Sequence, residues 1–182
     1  MVEAERARGK TGDNPWVGCV LTDAQGAIVA RGHTQGPGED HAEIVAMRHS
    51  GRDEAQVPLD ALTLYSTLEP CAFHGRTPAC AHAIVTRGIR RVVTGILDPN
   101  PRVDGAGLKI LRDAGVEVID GVCEGEITRQ LAPWIFRFHP HEPERRARTL
   151  ADRPEIEVRD AIAFWYGVDA EMAAEVVRRA RG

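Results

Sequence analysis

No stretch of about 18 consecutive apolar residues occurs in the chain, which leaves nothing able to cross a bilayer as a helix. Met1 to Lys10, "MVEAERARGK", alternates charges and lacks the apolar core that a secretory signal requires. These absences predict a soluble protein of the cytoplasm with no membrane partner. Positive charge is not in excess either: the formal net charge is −4, whereas proteins that grip duplex nucleic acid carry a basic face. Nucleic acid is therefore not the expected partner, and only a local basic pocket stays open. Cysteines number four, and in a reducing compartment they read as thiols or metal ligands before bridges.

What is present fits an ordinary globular chain. Apolar residues make up 43% and charged residues 27% of 182 positions, enough for one domain with a tail. Apolar runs at Val17–Leu21 and Ala27–Ala30, separated by a turn over Asp23 to Gly26, predict a hairpin. "HAEIVAMRHSG" has helical spacing, opens at His41 and meets a terminating glycine at Gly51. "ALTLYSTL" reads as a strand over 62–68, stopped by Glu69-Pro70. A helix over 79–87, a strand in "IRRVVTGIL", a helix in "GAGLKILRDAG" and a short strand in "VEVID" follow.

Such alternation predicts an α/β layered domain whose sheet is largely parallel after an antiparallel first hairpin. A further helix starts at Glu124 and is expected to end or bend at Pro133. From His139 to Arg159 the chain is rich in charge and proline, the composition of a linker or surface arm. A last helix is expected from Ala170, with Asp169 as N-cap and Met172, Ala173, Val176 and Val177 on one face. Domain limits of 1–138 and 139–182 follow, the second being linker and helical tail.

The chemistry concentrates in "LEPCAFHGRTPAC". A strand ending at Leu68 delivers Cys71 to the mouth of the sheet, and Cys80 falls in the first turn of the next helix, where unsatisfied N–H groups favour thiolate. His41, at another helix start, adds an imidazole of the kind zinc accepts beside sulfur. Three such ligands make an open site, His74 being a conceivable fourth that would close it; a Cys71–Cys80 bridge is the metal-free alternative. The open version is favoured by Glu43, a carboxylate two residues after His41. His41-Ala42-Glu43 followed by Pro70-Cys71 and a second cysteine is the pattern of zinc deaminases, although eight residues, not two, separate Cys71 from Cys80.

"NPWVGCV", "HAE", "TLEPC", "HGRTP" and "DPNPRVDGAGLKILRDAGVEV" together resemble the pyrimidine deaminase domain of RibD/RibG-type riboflavin-biosynthesis enzymes, within the cytidine deaminase-like superfamily. The resemblance spans about Asp13 to Gly121. It implies a three-layer α/β/α sandwich with a mixed, mostly parallel five-stranded sheet. It also implies zinc on His41, Cys71 and Cys80, and Glu43 as proton shuttle. The reaction implied is hydrolytic removal of an exocyclic amino group from a pyrimidine-type heterocycle, 2,5-diamino-6-ribosylamino-4(3H)-pyrimidinone 5′-phosphate in that family. Asn14, His33, His74, Arg76 and Asn100 match positions that touch base, ribose or phosphate.

One position departs from the family. Where its members read Pro-Cys-Ser-His-His-Gly, this chain has Phe73 in place of the first histidine, and an apolar ring donates nothing to a phosphate or sugar oxygen. A different nucleobase, nucleoside or related heterocycle is the alternative substrate, and a nucleic-acid-directed deaminase is the alternative class. Roughly 60 residues follow Gly121, too few for the reductase domain of about 200 residues that family members often carry. Homodimers or homotetramers are the assemblies the resemblance suggests. Outside the motif, Cys19 and Cys123 read as small buried hydrophobes, and Trp134, Phe136 and Phe138 as packing residues or a subunit seam.

Overall fold

The computed structural model describes residues 1–50, 57–73 and 79–182. Contacts divide them into two compact units, Met1–Glu124 and Gly125–Gly182. That division falls at the first residue of the helix spanning Glu124–Phe138.

In the first unit, helix α1 (Val2–Ala7) precedes strands β1 (Gly18–Thr22) and β2 (Ile28–His33). Helix α2 (Ala42–Ser50), strand β3 (Thr63–Leu68), helix α3 (Cys80–Thr86), strand β4 (Arg91–Ile96), helix α4 (Ala106–Asp113) and strand β5 (Glu117–Ile119) complete it. The strands form one sheet in the order β2-β1-β3-β4-β5. β1 is antiparallel to both β2 and β3, while β3, β4 and β5 are parallel, so β1 alone runs against the rest. The sheet is thus mixed and α/β as expected from the alternation.

Two glycines show how the helical layers reach the sheet. A Cβ on Gly18 would stand 2.5 Å from the Ala4 amide nitrogen of α1, and one on Gly32 would stand 2.5 Å from the Ala46 nitrogen of α2. Gly32 pairs with Cys19, the neighbour of Gly18, and side chains alternate along a strand. Consequently α1 and α2 cover opposite faces. Between them lie Cys19, Leu21, Leu64 and Val92, all fully buried. α1 has no counterpart in the sequence analysis, because its apolar face amounts to Ala4 and Ala7 beside a buried Glu3.

Parallel strands place the carboxyl ends of β3 and β4 at the same edge of the sheet, where α3 and α4 begin. That edge is where an open α/β sheet offers a crevice.

In the second unit, helices α5 (Glu124–Phe138), α6 (His141–Arg148), α7 (Glu155–Tyr166) and α8 (Ala170–Arg181) follow. α7 packs on α8, and α6 on both. Two expectations change here. Pro133 neither ends nor interrupts α5: the buried neighbours Leu131, Ala132, Trp134 and Ile135 hold the helix against a cost of about 3 kcal/mol. The segment read as a linker is largely helical, since its glutamates pair with arginines one turn on; Glu142 binds Arg145 and Arg146 at 2.8 and 3.2 Å.

The last helix begins as expected, with Asp169 accepting the Met172 N–H at 2.8 Å. Ala173, Val176 and Val177 are buried and Met172 is exposed. Trp134 is buried and Phe136 meets Tyr166 edge-on.

Candidate active site

β3 ends at Leu68, and the next residues run along the carboxyl edge of the sheet. Glu69 is buried and, among the described residues, pairs with no cation; its carboxylate instead accepts four backbone N–H groups, from Asp98 (3.2 Å), Gly105 (2.9 Å), Gly107 (2.8 Å) and Leu108 (3.3 Å). The latter two belong to the first turn of α4, whose own cap residue, Gly105, supplies no side chain. A carboxylate at this pole satisfies orphan donors and complements the helix dipole. Glu69 thereby ties the strand that leads to Cys71 to the loop between β4 and α4. The sequence marks Glu69 only as part of the Glu69-Pro70 strand stop and of "TLEPC"; a carboxylate set before proline at a strand end is the signal for its capping role.

Beyond Pro70, the sulfur of Cys71 faces the start of α3. The Cys80 N–H donates to Cys71 Sγ at 3.3 Å, and the Ala81 N–H to the Cys71 carbonyl at 3.2 Å. His41 sits where α2 begins, its carbonyl accepting the Val45 N–H. Its Nδ1 lies 3.6 Å from Cys71 Sγ and 3.3 Å from Cys80 Sγ. All three donor atoms fall within 4.8 Å of one another. Among the described residues this is the one group of three or more His, Cys, Asp or Glu side chains able to hold a metal ion.

The electrostatics suit a cation. Hydrogen bonds from the Cys80 thiol, His41 and the Cys80 backbone pull the Cys71 thiol down to about 4 against the opposing effect of burial. Cys80 is pushed up by its bond to Cys71 and by burial, so the pair shares one negative charge. His41 is raised mainly by its bond to Cys71. One nitrogen and two sulfurs form a donor set that zinc accepts, and among the described residues no fourth His, Cys, Asp or Glu joins them.

Glu43 lies in the first turn of α2, 3% exposed, within electrostatic reach of His41, Cys71 and Cys80. Burial lifts it to about 7, opposed by the charge of His41. Its buried carboxyl thus stands beside the donor group and titrates near neutrality.

The remaining expected contacts are distributed around this edge. Asn100 follows β4; its Oδ1 accepts the Arg102 N–H at 3.0 Å and its own N–H donates to Asp98 Oδ1 at 2.8 Å. Asn14 is fixed through its main chain, which Thr11 brackets at 2.6 and 3.2 Å. His33 ends β2 on the α1 face, its Nδ1 3.7 Å from Glu3 Oε2, and among the described residues it makes no hydrogen bond or ion pair with His41, Cys71 or Cys80. Phe73 is half-buried and lies under the guanidinium of Arg102, 4.5 Å from the ring centre. His74 and Arg76 lie outside the described residues. Cys19 is buried as expected, whereas Cys123 is exposed, at a positive φ of 57° in the turn before α5.

Comparison with known proteins agrees with this geometry. Residues 1–96 match the family model of the cytidine and deoxycytidylate deaminase zinc-binding region. The riboflavin biosynthesis protein RibD of Aquifex aeolicus is 41% identical over 150 residues, which cover 81% of this chain and 40% of that protein. The RibD structure of Acinetobacter baumannii superimposes with a TM-score of 0.67 at 38% identity, over 74% of this chain and 36% of that one. A diaminohydroxyphosphoribosylaminopyrimidine deaminase/5-amino-6-(5-phosphoribosylamino)uracil reductase from Thermotoga maritima gives 0.64 at 39% identity, over 70% and 35%. The chain therefore spans about two fifths or less of the length of these relatives. With 96 of 182 residues matched and its His–Cys–Cys group in place, the chain belongs to the zinc-binding family of cytidine and deoxycytidylate deaminases.

Proposed function

We propose that the chain is a hydrolytic deaminase that replaces an exocyclic amino group of a pyrimidine-type heterocycle with oxygen, acting on a diaminopyrimidine ribotide as the name of its Thermotoga maritima relative indicates for that protein. The observation that carries this reading is the buried carboxyl of Glu43 beside the His41, Cys71 and Cys80 donors.

His41, Cys71 and Cys80 would hold zinc. When bound, zinc supplies Lewis acidity that makes a water nucleophilic near neutral pH. Glu43 accepts the proton of the attacking water as a C–O bond forms at the amino-bearing ring carbon. It returns that proton to the ring nitrogen, then takes the second proton from the new C–OH group and hands it to the amine, so that the C=O forms as the C–N bond breaks and ammonia leaves. A carboxyl lifted to about 7 can both take and release a proton at neutral pH, as both halves of this cycle require. Asn100 is locked by Asp98 and by its own loop, so its amide group can orient the heterocycle without itself reorganising.

Ammonia release by the zinc-loaded protein, measured on diaminopyrimidine nucleotides, free bases and single-stranded oligonucleotides, tests the reading. Turnover of the nucleotides is expected. Turnover of oligonucleotides alone would replace it with a nucleic-acid-directed activity, and ammonia from none of them would remove the deaminase assignment. Small heterocycles as the partner class, association of copies into dimers or tetramers, and a cytoplasmic location belong to the same proposal; light scattering checks the assembly.

A further inference from the structure

Phe73 raises a chemical difficulty for that reading, because it stands two residues after Cys71 and donates no hydrogen bond. The neighbouring loop answers it. Arg102 lays its guanidinium over the Phe73 ring at 4.5 Å, within cation–π range. Its own backbone is fixed by the Asn100 side chain. The loop that carries it is anchored at both ends, through the N–H groups of Asp98 and Gly105, to Glu69, the residue that leads into Pro70-Cys71. Arg102 is exposed, and among the described residues no acidic side chain pairs with it.

A guanidinium carries its five N–H donors in one rigid plane, and the aromatic ring 4.5 Å from its centre holds it in place without consuming any of them. That fork matches two oxygens of a phosphate, and the ring limits the rotamer freedom that binding would otherwise remove. We propose that Arg102, shelved on Phe73, binds the phosphate monoester of the substrate and so selects phosphorylated heterocycles over their dephosphorylated counterparts. This deepens the deaminase reading and rests on it. Phe73 then supports an anion contact that it cannot make itself.

The test compares a diaminopyrimidine ribotide with the same compound after phosphatase treatment, using zinc-loaded wild type, Arg102→Ala, Arg102→Lys and Phe73→Leu. For Arg102→Ala the ratio of kcat/KM, phosphorylated over dephosphorylated, is expected to fall about tenfold or more, chiefly through KM, as loss of a charge-assisted bidentate contact should. Lysine should restore part of the ratio, and Phe73→Leu should lower it by less than alanine at 102. An unchanged ratio in Arg102→Ala, or equal losses on both compounds, overturns the proposal. Should wild type deaminate neither compound, the deaminase reading fails by itself. Equilibrium binding of the ribotide to wild type and Arg102→Ala then still decides the phosphate contact: weaker binding by the variant supports it, and equal affinity overturns it.

Discussion

The Glu69 carboxylate accepts the Gly107 N–H at 2.8 Å, and the same glycine lies so close to the Pro70 carbonyl that a Cβ at 107 would collide with it. A hydrogen bond and a steric constraint thus fix α4 against the segment that delivers Cys71. Replacing Glu69 with alanine leaves buried N–H groups without an acceptor, and we expect a loss of about 2–4 kcal/mol in chemical denaturation. Gly107→Ala should also destabilise, by driving backbone from backbone, although it removes no hydrogen bond. Wild-type stability in either variant would mean that the loop is held by other contacts.

A second close approach bears on Glu43. A Cβ on Gly32 would run into the Ala42 carbonyl and would stand 2.5 Å from the Ala46 nitrogen. Both obstacles are helix backbone and cannot turn aside, so Gly32→Ala must lift the first turn of α2 from the sheet. Since that turn positions His41 and Glu43, the variant is expected to lose about 1–3 kcal/mol and to bind zinc more weakly. Metal titration followed by thermal unfolding checks both. Unaltered zinc affinity would show that α2 tolerates the displacement.

Much of this site was legible because its chemistry is local. His41 and Glu43 share one helical turn, and Cys71 and Cys80 flank one strand-to-helix connection, so spacing and residue type sufficed to connect them. Periodicity likewise located β1 through β5. It missed α1, whose buried face is two alanines and a glutamate. It also read α6 and the start of α7, within 139–159, as a linker, because arginine and glutamate there pair with one another along the helix surface and leave a composition resembling a solvated arm. Glu69 and Arg102 were not singled out for a different reason. Their partners, Gly107 and Phe73, lie far away in sequence, and only the folded chain brings them together.

The donor group separates metal binding from proton transfer. Cys71 is held as a thiolate by the Cys80 side chain, His41 and the Cys80 backbone. Cys71→Ser should abolish zinc retention and lower the unfolding temperature, since metal binding is coupled to folding. Glu43 contributes no ligand in this arrangement, so Glu43→Gln should keep zinc while turnover falls about 10²–10⁴-fold. Elemental analysis alongside ammonia release distinguishes the two. Zinc lost from Glu43→Gln, or retained in full by Cys71→Ser, would reassign the ligands.

Asp98 lends the same edge of the sheet a pH dependence. Burial lifts its carboxyl from an ordinary 3.8 to about 7, helped by the charges of Glu69, Cys71 and Asp104 and opposed by the Asn100 N–H. A folded-state value above the unfolded one means that folding favours the protonated form. Its contribution is therefore complete below about pH 4 and lost as pH rises through about 7. Asp98→Asn keeps an oxygen to accept the Asn100 N–H at 2.8 Å but cannot ionise. Denaturation midpoints taken from pH 5 to 8 should consequently fall less steeply in this variant than in wild type, with the two proteins diverging most at the alkaline end. Parallel profiles would show that Asp98 keeps its charge at little cost, and that the loop carrying Asn100 is insensitive to pH.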